Sequence, residues 1–317
     1  DSRAPRFGTN PCTVGHDTVD YRNNVIYNWS GLGCYGAGGE CINMVNNYYK
    51  PGPATPVSTV RGRICSIDRD MTSSDPTDGN YAIYMLWGKY FVDGNYFDSS
   101  TSSGTGLTYV NNTNSSNWNY GIYNQISSSM FTNATAEKAA MKLSSPLPSA
   151  DYQTTTAAVA YNKVLGYAGC SKSRDSYDNR IISETQNGTA AYKGLSQYNG
   201  LGSVTYPAGT VIGNTTLTTA TTIDWKSTAY PKWGIIDSQT DIKPSDANAS
   251  WSPWPTLNST TAPTDSDNDG MPDTWETANG LTNGIDDGSL TTFNGEYTNL
   301  EVYLNSLVGD ITLNQYD

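Results

Sequence analysis

Three stretches of the chain share one alternation. "YRNNVIYNW" from Tyr21, "NMVNNYYKPG" from Asn43 and "YFVDGNYFDS" from Tyr90 each set β-branched or aromatic residues against polar ones, with an Asn near the centre. Alternation of this kind predicts strands with one buried face. Asn24 and Asn47 are 23 positions apart (47 − 24), and Asn47 and Asn95 are 48 apart (95 − 47), close to two such periods. A period in the twenties is how a stacked-coil β-solenoid reads in sequence. An Asn returning at the same place in each coil can hydrogen-bond up the stack. The competing reading is an ordinary β-sandwich with Asn-rich turns.

Beyond residue 154 the texture changes. "TTTAAVAYNKVLGYAG" offers threonines for an N-terminal cap, apolar residues at Val159, Val164, Leu165 and Ala168, and Gly169 as a stop. It predicts a helix. "SRDSYDNRIISE" follows, with mixed charges suited to a surface network. Residues 190–235 are Gly/Thr-rich with short strand-like pieces, and "WSPWPTLNSTTAPT" is an extended, Pro-rich linker. The expected organisation is therefore β-solenoid coils over 1–150, a helix-and-strand extension packing on them over 151–250, and a linker with a C-terminal segment over 251–317. In class terms the chain is expected to be all-β, with a helix-containing C-terminal extension.

That last segment carries the most specific local pattern. "DSDNDGMPDTWE" places Asp265, Asp267, Asp269, Met271, Asp273 and Glu276 at positions 1, 3, 5, 7, 9 and 12 of a twelve-residue loop, with Gly270 at position 6. This is the spacing of an EF-hand-like calcium loop. Alternate carboxylates face one point, Gly270 permits the bend, Met271 offers its backbone carbonyl, and Glu276 closes the shell. The competing reading is an acidic surface turn. A Ca2+ held here would be a structural staple rather than a sensor. "GEYTNLEVYLNSL" resembles the back half of a second loop, but counting back from Tyr297 puts Thr291, Phe293 and Gly295 where acidic ligands belong. Asp286 and Asp287 could lend oxygens there, although no spacing requires it.

Composition narrows the setting. The 317 residues are 15% charged, with a net charge of −12, 23 Tyr and 8 Trp. Low charge with abundant Asn, Thr, Ser, Gly and Tyr points to a secreted, extracellular protein, and the acidic balance argues against a nucleic-acid partner. No apolar run approaches the roughly 20 residues of a membrane helix. Of five cysteines, Cys34 and Cys41 bracket the Gly-rich "CYGAGGEC", which predicts a local disulfide. Asn28, Asn133, Asn187 and Asn214 lie in sequons that permit N-glycosylation.

Candidates for chemistry are few. His16 is the only histidine, and with Cys12 it supplies too few ligands for zinc. Asp68 and Asp70 could form a carboxylate pair for glycoside hydrolysis, although such a run is more often a solvated turn. The remaining candidate is the opening Arg-x-Pro-Arg, where Pro5 stiffens the backbone between Arg3 and Arg6.

"SRAPRFG", "VDYRNNVIYNW", "INMVNNYYKPGPAT", "YFVDGNYF", "VLGYAGCSKSRDSYDNRI", "GIIDSQTDI" and "DSDNDGMPDTWE" followed by "YTNLEVYLNSL" run in one order through nearly the whole chain. Together they resemble the C-terminal part of secreted pectate lyases of polysaccharide lyase family one, in the Bacteroidetes-type form. The resemblance implies a right-handed parallel β-helix and β-elimination in α-1,4-galacturonan, an acidic polysaccharide. It places the catalytic base on Arg3 and a substrate-carboxylate or orienting role on Arg6. An arginine whose pKa lies above about 12 needs neighbouring cations to act as a base, and the family supplies them as catalytic calcium and a lysine. Those ligands lie upstream of the R-x-P motif, so the chain is expected to need a missing N-terminal fragment, or further coils, for activity. Two other expectations remain: a non-catalytic structural protein that self-associates into filaments through open β-helix ends, and a carbohydrate-binding module using surface Tyr and Trp.

Overall fold

The computed structural model describes residues 4–8, 18–31, 33–37, 39–67, 77, 88–124, 134–149, 154–192, 203–212, 215–224, 233–236, 239–243, 247–293 and 295–309. They divide into two compact units, one of residues 1–166 with 179–253 and the other of 167–178 with 254–317.

In the first unit the strands form three small parallel sheets. The first sheet runs β1 (Arg6–Phe7), β4 (Tyr35–Gly36), β7 (Cys65–Ile67), β10 (Ile122–Asn124). The second runs β2 (Thr18–Arg22), β5 (Cys41–Val45), β8 (Lys89–Asp93), and the third β3 (Val25–Tyr27), β6 (Tyr48–Lys50), β9 (Tyr96–Phe97). In chain order the strands visit the three sheets in turn. The register keeps like residues in columns, with Ile42 beside Val19 and Tyr90, and Tyr49 beside Ile26 and Phe97. Phe7, Ile42, Met44, Ile64, Ile67, Tyr90, Phe97 and Ile122 fill the interior. Tyr49 stacks on Phe97 at 4.4 Å, and Trp29 meets both edge-on. These ring geometries add to the stabilisation from burial itself.

The repeat asparagines do bond from strand to strand. Asn24 donates from its backbone and side-chain nitrogens to Asn47 Oδ1 (3.0 and 2.9 Å), and Asn47 does the same to Asn95 Oδ1 (3.1 and 2.8 Å). The ladder continues to Asn117, whose Oδ1 accepts from the Asn95 backbone at 2.8 Å. The residue before each of the first three rungs turns the corner between sheets in the left-handed region: Asn23 (φ 54°), Asn46 (φ 53°) and Gly94 (φ 66°). Asn tolerates that conformation better than most side chains. At position 94 a Cβ would lie 1.8 Å from Asn46 Oδ1, so any other residue would displace the Asn46 amide as well as strain the backbone.

The expectation of an all-β parallel β-helix is corrected by the element content. About 30% of the described residues are helical and 19% are in strands, and the parallel sheets are short. Helices α1 (Gly104–Ser115), α2 (Ala134–Ala140), α3 (Ala157–Tyr167) and α4 (Ser176–Asn187) supply most of the helix, together with short 3-10 and π turns. The physical reason is visible in α1. Its sequence GTGLTYVNNTNS carries little apolar periodicity, but Val110 and Thr113 are fully buried and Thr113 Oγ1 donates to Gly62 O at 2.7 Å. Tertiary contact holds a helix there that local pattern does not announce. Outside the parallel sheets, β11 (Ser203–Tyr206) pairs antiparallel with β14 (Thr221–Asp224), and β12 (Val211–Ile212) with β13 (Thr215–Thr216). They share a small core of Ala54, Ile212, Ile223 and Trp233.

The second unit holds α5 (Asp273–Asn279) and α6 (Asn299–Ser306). Helix α5 ends at Gly280 in the left-handed conformation, and α6 begins with a capping box between Thr298 and Glu301. Trp275 joins the helices, edge-on to Tyr303 at 5.2 Å and to Phe293 at 5.7 Å.

Candidate functional site

The opening arginines fall differently. Arg3 lies outside the described residues, as do Cys12, His16, Asp68 and Asp70. Arg6 opens β1, exposed, while its neighbour Phe7 turns into the core. In the register of the first sheet Arg6 pairs with Tyr35, Tyr35 with Ser66, and Ser66 with Tyr123. Period-two alternation puts these four on the outer face, because Cys65, Ile67 and Ile122 on the same strands point inward. The Arg6 guanidinium sits 6.0 Å from the Tyr35 ring centroid, and that of Arg63 sits 5.0 Å from the Tyr123 ring. Burial holds the Arg63 guanidinium below its ordinary pKa. One sheet residue, Arg6, and two aromatic rings therefore lie along one face of one sheet, and Arg63, just before β7, reaches the second ring. Guanidinium groups recognise carboxylates in a planar fork, and ring faces suit sugars.

The cysteines do not pair as the loop sequence led us to expect. Cys34 and Cys41 are both free thiols, so no bridge closes "CYGAGGEC". Cys41 opens β5 in the second sheet, whereas buried Cys34 precedes β4 in the first and shares a side-chain hydrogen bond with buried Cys65. Consecutive strands that enter different sheets carry neighbouring cysteines apart. Among the sequons, Asn28 is buried, its Nδ2 donates to Trp233 O at 2.7 Å and its Oδ1 accepts from Ala54 N at 2.7 Å. That amide nitrogen, where a glycan would attach, is occupied in the folded chain. Asn187 is exposed, and Asn133 and Asn214 lie outside the described residues.

The acidic loop of the second unit is closed on itself. Asp265 accepts from Asn268 N (2.8 Å) and Gly270 N (3.1 Å), and Asp269 Oδ1 accepts from Met271 N (2.9 Å). Asn268 (φ 64°) and Gly270 (φ 96°) take the left-handed conformation this curl requires. Asp265, Asp267 and Asp269 bring carboxylate oxygens within 4.8 Å of one another, and so do Asp269, Glu276 and Asp287. Asp269 belongs to both groups. Asp273 acts differently. Its carboxylate accepts from Ser266 N at 2.8 Å and Ser266 Oγ at 2.7 Å, bracing the loop's entry. Position 9 is commonly a water-mediated ligand, which agrees with that bracing.

Glu276 has no accessible surface, and neither of its carboxylate oxygens has a hydrogen-bond partner; Asp267 Oδ2 and Asp269 Oδ2 are likewise unpartnered. Burial pushes the Glu276 carboxyl above its ordinary pKa, and the charges of Asp267, Asp269, Asp273 and Asp287 push it further the same way. Converging, desolvated, unpartnered carboxylate oxygens are costly unless a cation compensates them. A donor set made of hard oxygens matches Ca2+ rather than a thiophilic or imidazole-seeking metal.

No protein-family model matches the chain. It is similar to proteins described as "Probable pectate lyase C". That of Aspergillus terreus is 29% identical over 171 residues, covering 53% of this chain and 31% of the relative. That of Neosartorya fischeri shows 29% identity over 171 residues, and that of Aspergillus flavus 29% over 174, each with the same coverage. The chain thus has a distant, pectate lyase-like relationship over about half its length, and the match spans about a third of the length of these relatives. Among the described residues no helix is long and apolar enough to cross a membrane.

Proposed function

We propose that this chain belongs to a secreted protein that cleaves α-1,4-galacturonan by β-elimination. The observation that supports this reading most is the similarity to probable pectate lyases over 53% of the chain. The exposed Arg6 beside Tyr35 is consistent with a surface that meets an acidic polysaccharide. In the reaction a base takes the proton from C5, the electron pair forms the C4–C5 double bond, and the C4–O bond breaks to release the leaving sugar. Arg3 is the proposed base. Arg6 holds the substrate carboxylate, whose neutralisation acidifies C5. The test is calcium-dependent formation of unsaturated product from polygalacturonate, followed by ultraviolet absorbance, in the protein that carries these residues. Arg3→Lys should lower the rate at least about a hundredfold, the scale of one transition-state group, with the folded far-ultraviolet spectrum kept. Full activity in Arg3→Lys would show that another group is the base, and absence of unsaturated product in the parent protein would remove the lyase reading.

The acidic loop is proposed to take one Ca2+ through Asp265, Asp267, Asp269, Glu276 and the Met271 carbonyl, with Asp273 holding the loop in shape. The ion would contribute charge neutralisation and fix the loop on α5. The unpartnered oxygens of buried Glu276 carry this reading.

A further inference from the structure

We infer that Asp287, which lies outside the twelve-residue loop, is a direct ligand of the same cation, and that the ion thereby ties the segment leading into α6 to the loop and α5. The inference rests on the calcium reading of the loop.

Asp287 stands 22 residues after Asp265 (287 − 265) and 11 after Glu276, the loop's last position (287 − 276), beyond the end of α5. Its carboxylate nevertheless comes within 4.8 Å of those of Asp269 and Glu276. It is buried, 8% exposed, while its sequence neighbour Asp286 is exposed. Three features hold it there. Asn299, fully buried at the start of α6, donates from Nδ2 to both Asp287 O (3.0 Å) and Asp287 Oδ1 (3.2 Å). Gly288 packs against Asp269: a Cβ at 288 would meet Asp269 O at 3.0 Å and Asp269 Oδ2 at 3.1 Å. Gly288 O then accepts from Leu300 N at 3.0 Å, inside α6.

Placing a second buried carboxylate beside buried Glu276 and half-buried Asp269 adds repulsion to a site already short of donors. A chain has no reason to bury it with the Asn299 clamp unless something positive occupies the centre. Asp273 is committed to Ser266, so the shell has room for a carboxylate from elsewhere. Six to eight oxygens complete a Ca2+ shell, and Asp287 supplies one or two of them.

The experiment is calcium titration by calorimetry on the full chain, with thermal unfolding in excess Ca2+ and in excess chelator. Asp287→Asn is nearly isosteric and keeps an oxygen that can accept from Asn299. It should weaken Ca2+ binding at least tenfold and lower the melting temperature in Ca2+. In chelator it should melt at or above the parent's temperature, because one repelling charge has gone. Asp286→Asn should leave affinity unchanged. A parent chain that binds no Ca2+ would overturn the loop reading together with this inference. A parent that binds, with Asp287→Asn binding equally well, would overturn this inference and leave the loop reading standing. Destabilisation of Asp287→Asn in chelator as large as in Ca2+ would make Asp287 a structural partner of Asn299 and would also overturn the inference.

Discussion

Asn47 shows how much one buried amide can organise. Its Oδ1 takes two bonds from Asn24 while its Nδ2 donates to Asn95 Oδ1 and Tyr21 O. Asn47→Ala removes all four of these bonds, although Asn95 Oδ1 keeps the Asn47 backbone N–H and Asn24 Nδ2 keeps Arg22 O; leaving buried groups unmade costs about 1–3 kcal/mol each where they cannot relax. The expected loss is about 3 kcal/mol, read from the urea midpoint. Gly94→Ala should also destabilise, because it adds a left-handed strain of about 1–3 kcal/mol to the clash with Asn46 Oδ1. The cysteines offer a chemical readout. Burial, and the hydrogen bond to Cys65, hold the Cys34 thiol well above its ordinary pKa, and the thiolate is the reactive form. Under native conditions an alkylating reagent should modify exposed Cys170 and spare Cys34 and Cys65. After denaturation without reductant Cys34 and Cys41 should both label. Failure of that pair to label would restore the bridge expected from "CYGAGGEC".

At the scale of elements, Lys50 makes an ion pair at the third sheet and a hydrogen bond to a helix. Lys50 Nζ on β6 lies 3.2 Å from Asp98 Oδ2, just after β9, and also donates to Gln186 O at the end of α4. Burial pushes the Asp98 carboxyl upward, but hydrogen bonds from Ser100 and the charge of Lys50 outweigh it and hold the pKa below the ordinary value. A carboxyl with a lowered folded-state pKa stabilises above its unfolded-state pKa, and that contribution is lost as pH falls through the folded-state pKa. The first unit should therefore lose stability on the acid side of the ordinary carboxylate range. Asp98→Asn should flatten that acid limb and cost about 3 kcal/mol at pH 7, as expected for stranding one partner of a buried pair. Urea midpoints measured across pH would check both. The helix expected from the Thr-rich stretch is present as α3, but it buries Ala157, Ala160 and Leu165 and leaves Val159 exposed. Composition placed that helix, and packing chose its inner face.

Across the whole molecule, each of the two units has its own contacts: a sheet-lined apolar interior in one, and Trp275 with the acidic loop in the other. Calcium removal should act on one of them. In chelator, limited proteolysis should cut within residues 254–309, while residues 33–67 resist because β5, β6 and β7 are almost wholly buried. Equal protection of 254–309 with and without Ca2+ would argue against a metal staple. The acidic balance of −12 belongs to this scale too. It repels polyanions at long range, so any affinity for galacturonan must come from local guanidinium groups such as Arg6 on β1 and Arg63 just before β7.

Whatever depends on short spacing was already written in the order of residues. The Asn24–Asn47–Asn95 ladder follows from a repeat whose period matches successive strands. The curl of Asp265–Gly270 follows from alternate oxygens and one glycine, since those bonds close within five residues. Three-dimensional packing decided whatever depends on distant partners. Helix α1 has its buried face because Gly62 and Arg61 lie under it. Asn28 lost its sequon's accessibility to Trp233, 205 positions away. Cys34 met Cys65 rather than Cys41 because neighbouring strands in sequence enter different sheets. Asp287 joined the acidic centre because Asn299 and Gly288 fold it back, and the spacing rule of the loop stops at Glu276. Local patterns fix turns and strands through near-neighbour geometry; which side chains face one another across the fold is set by the burial of all the others.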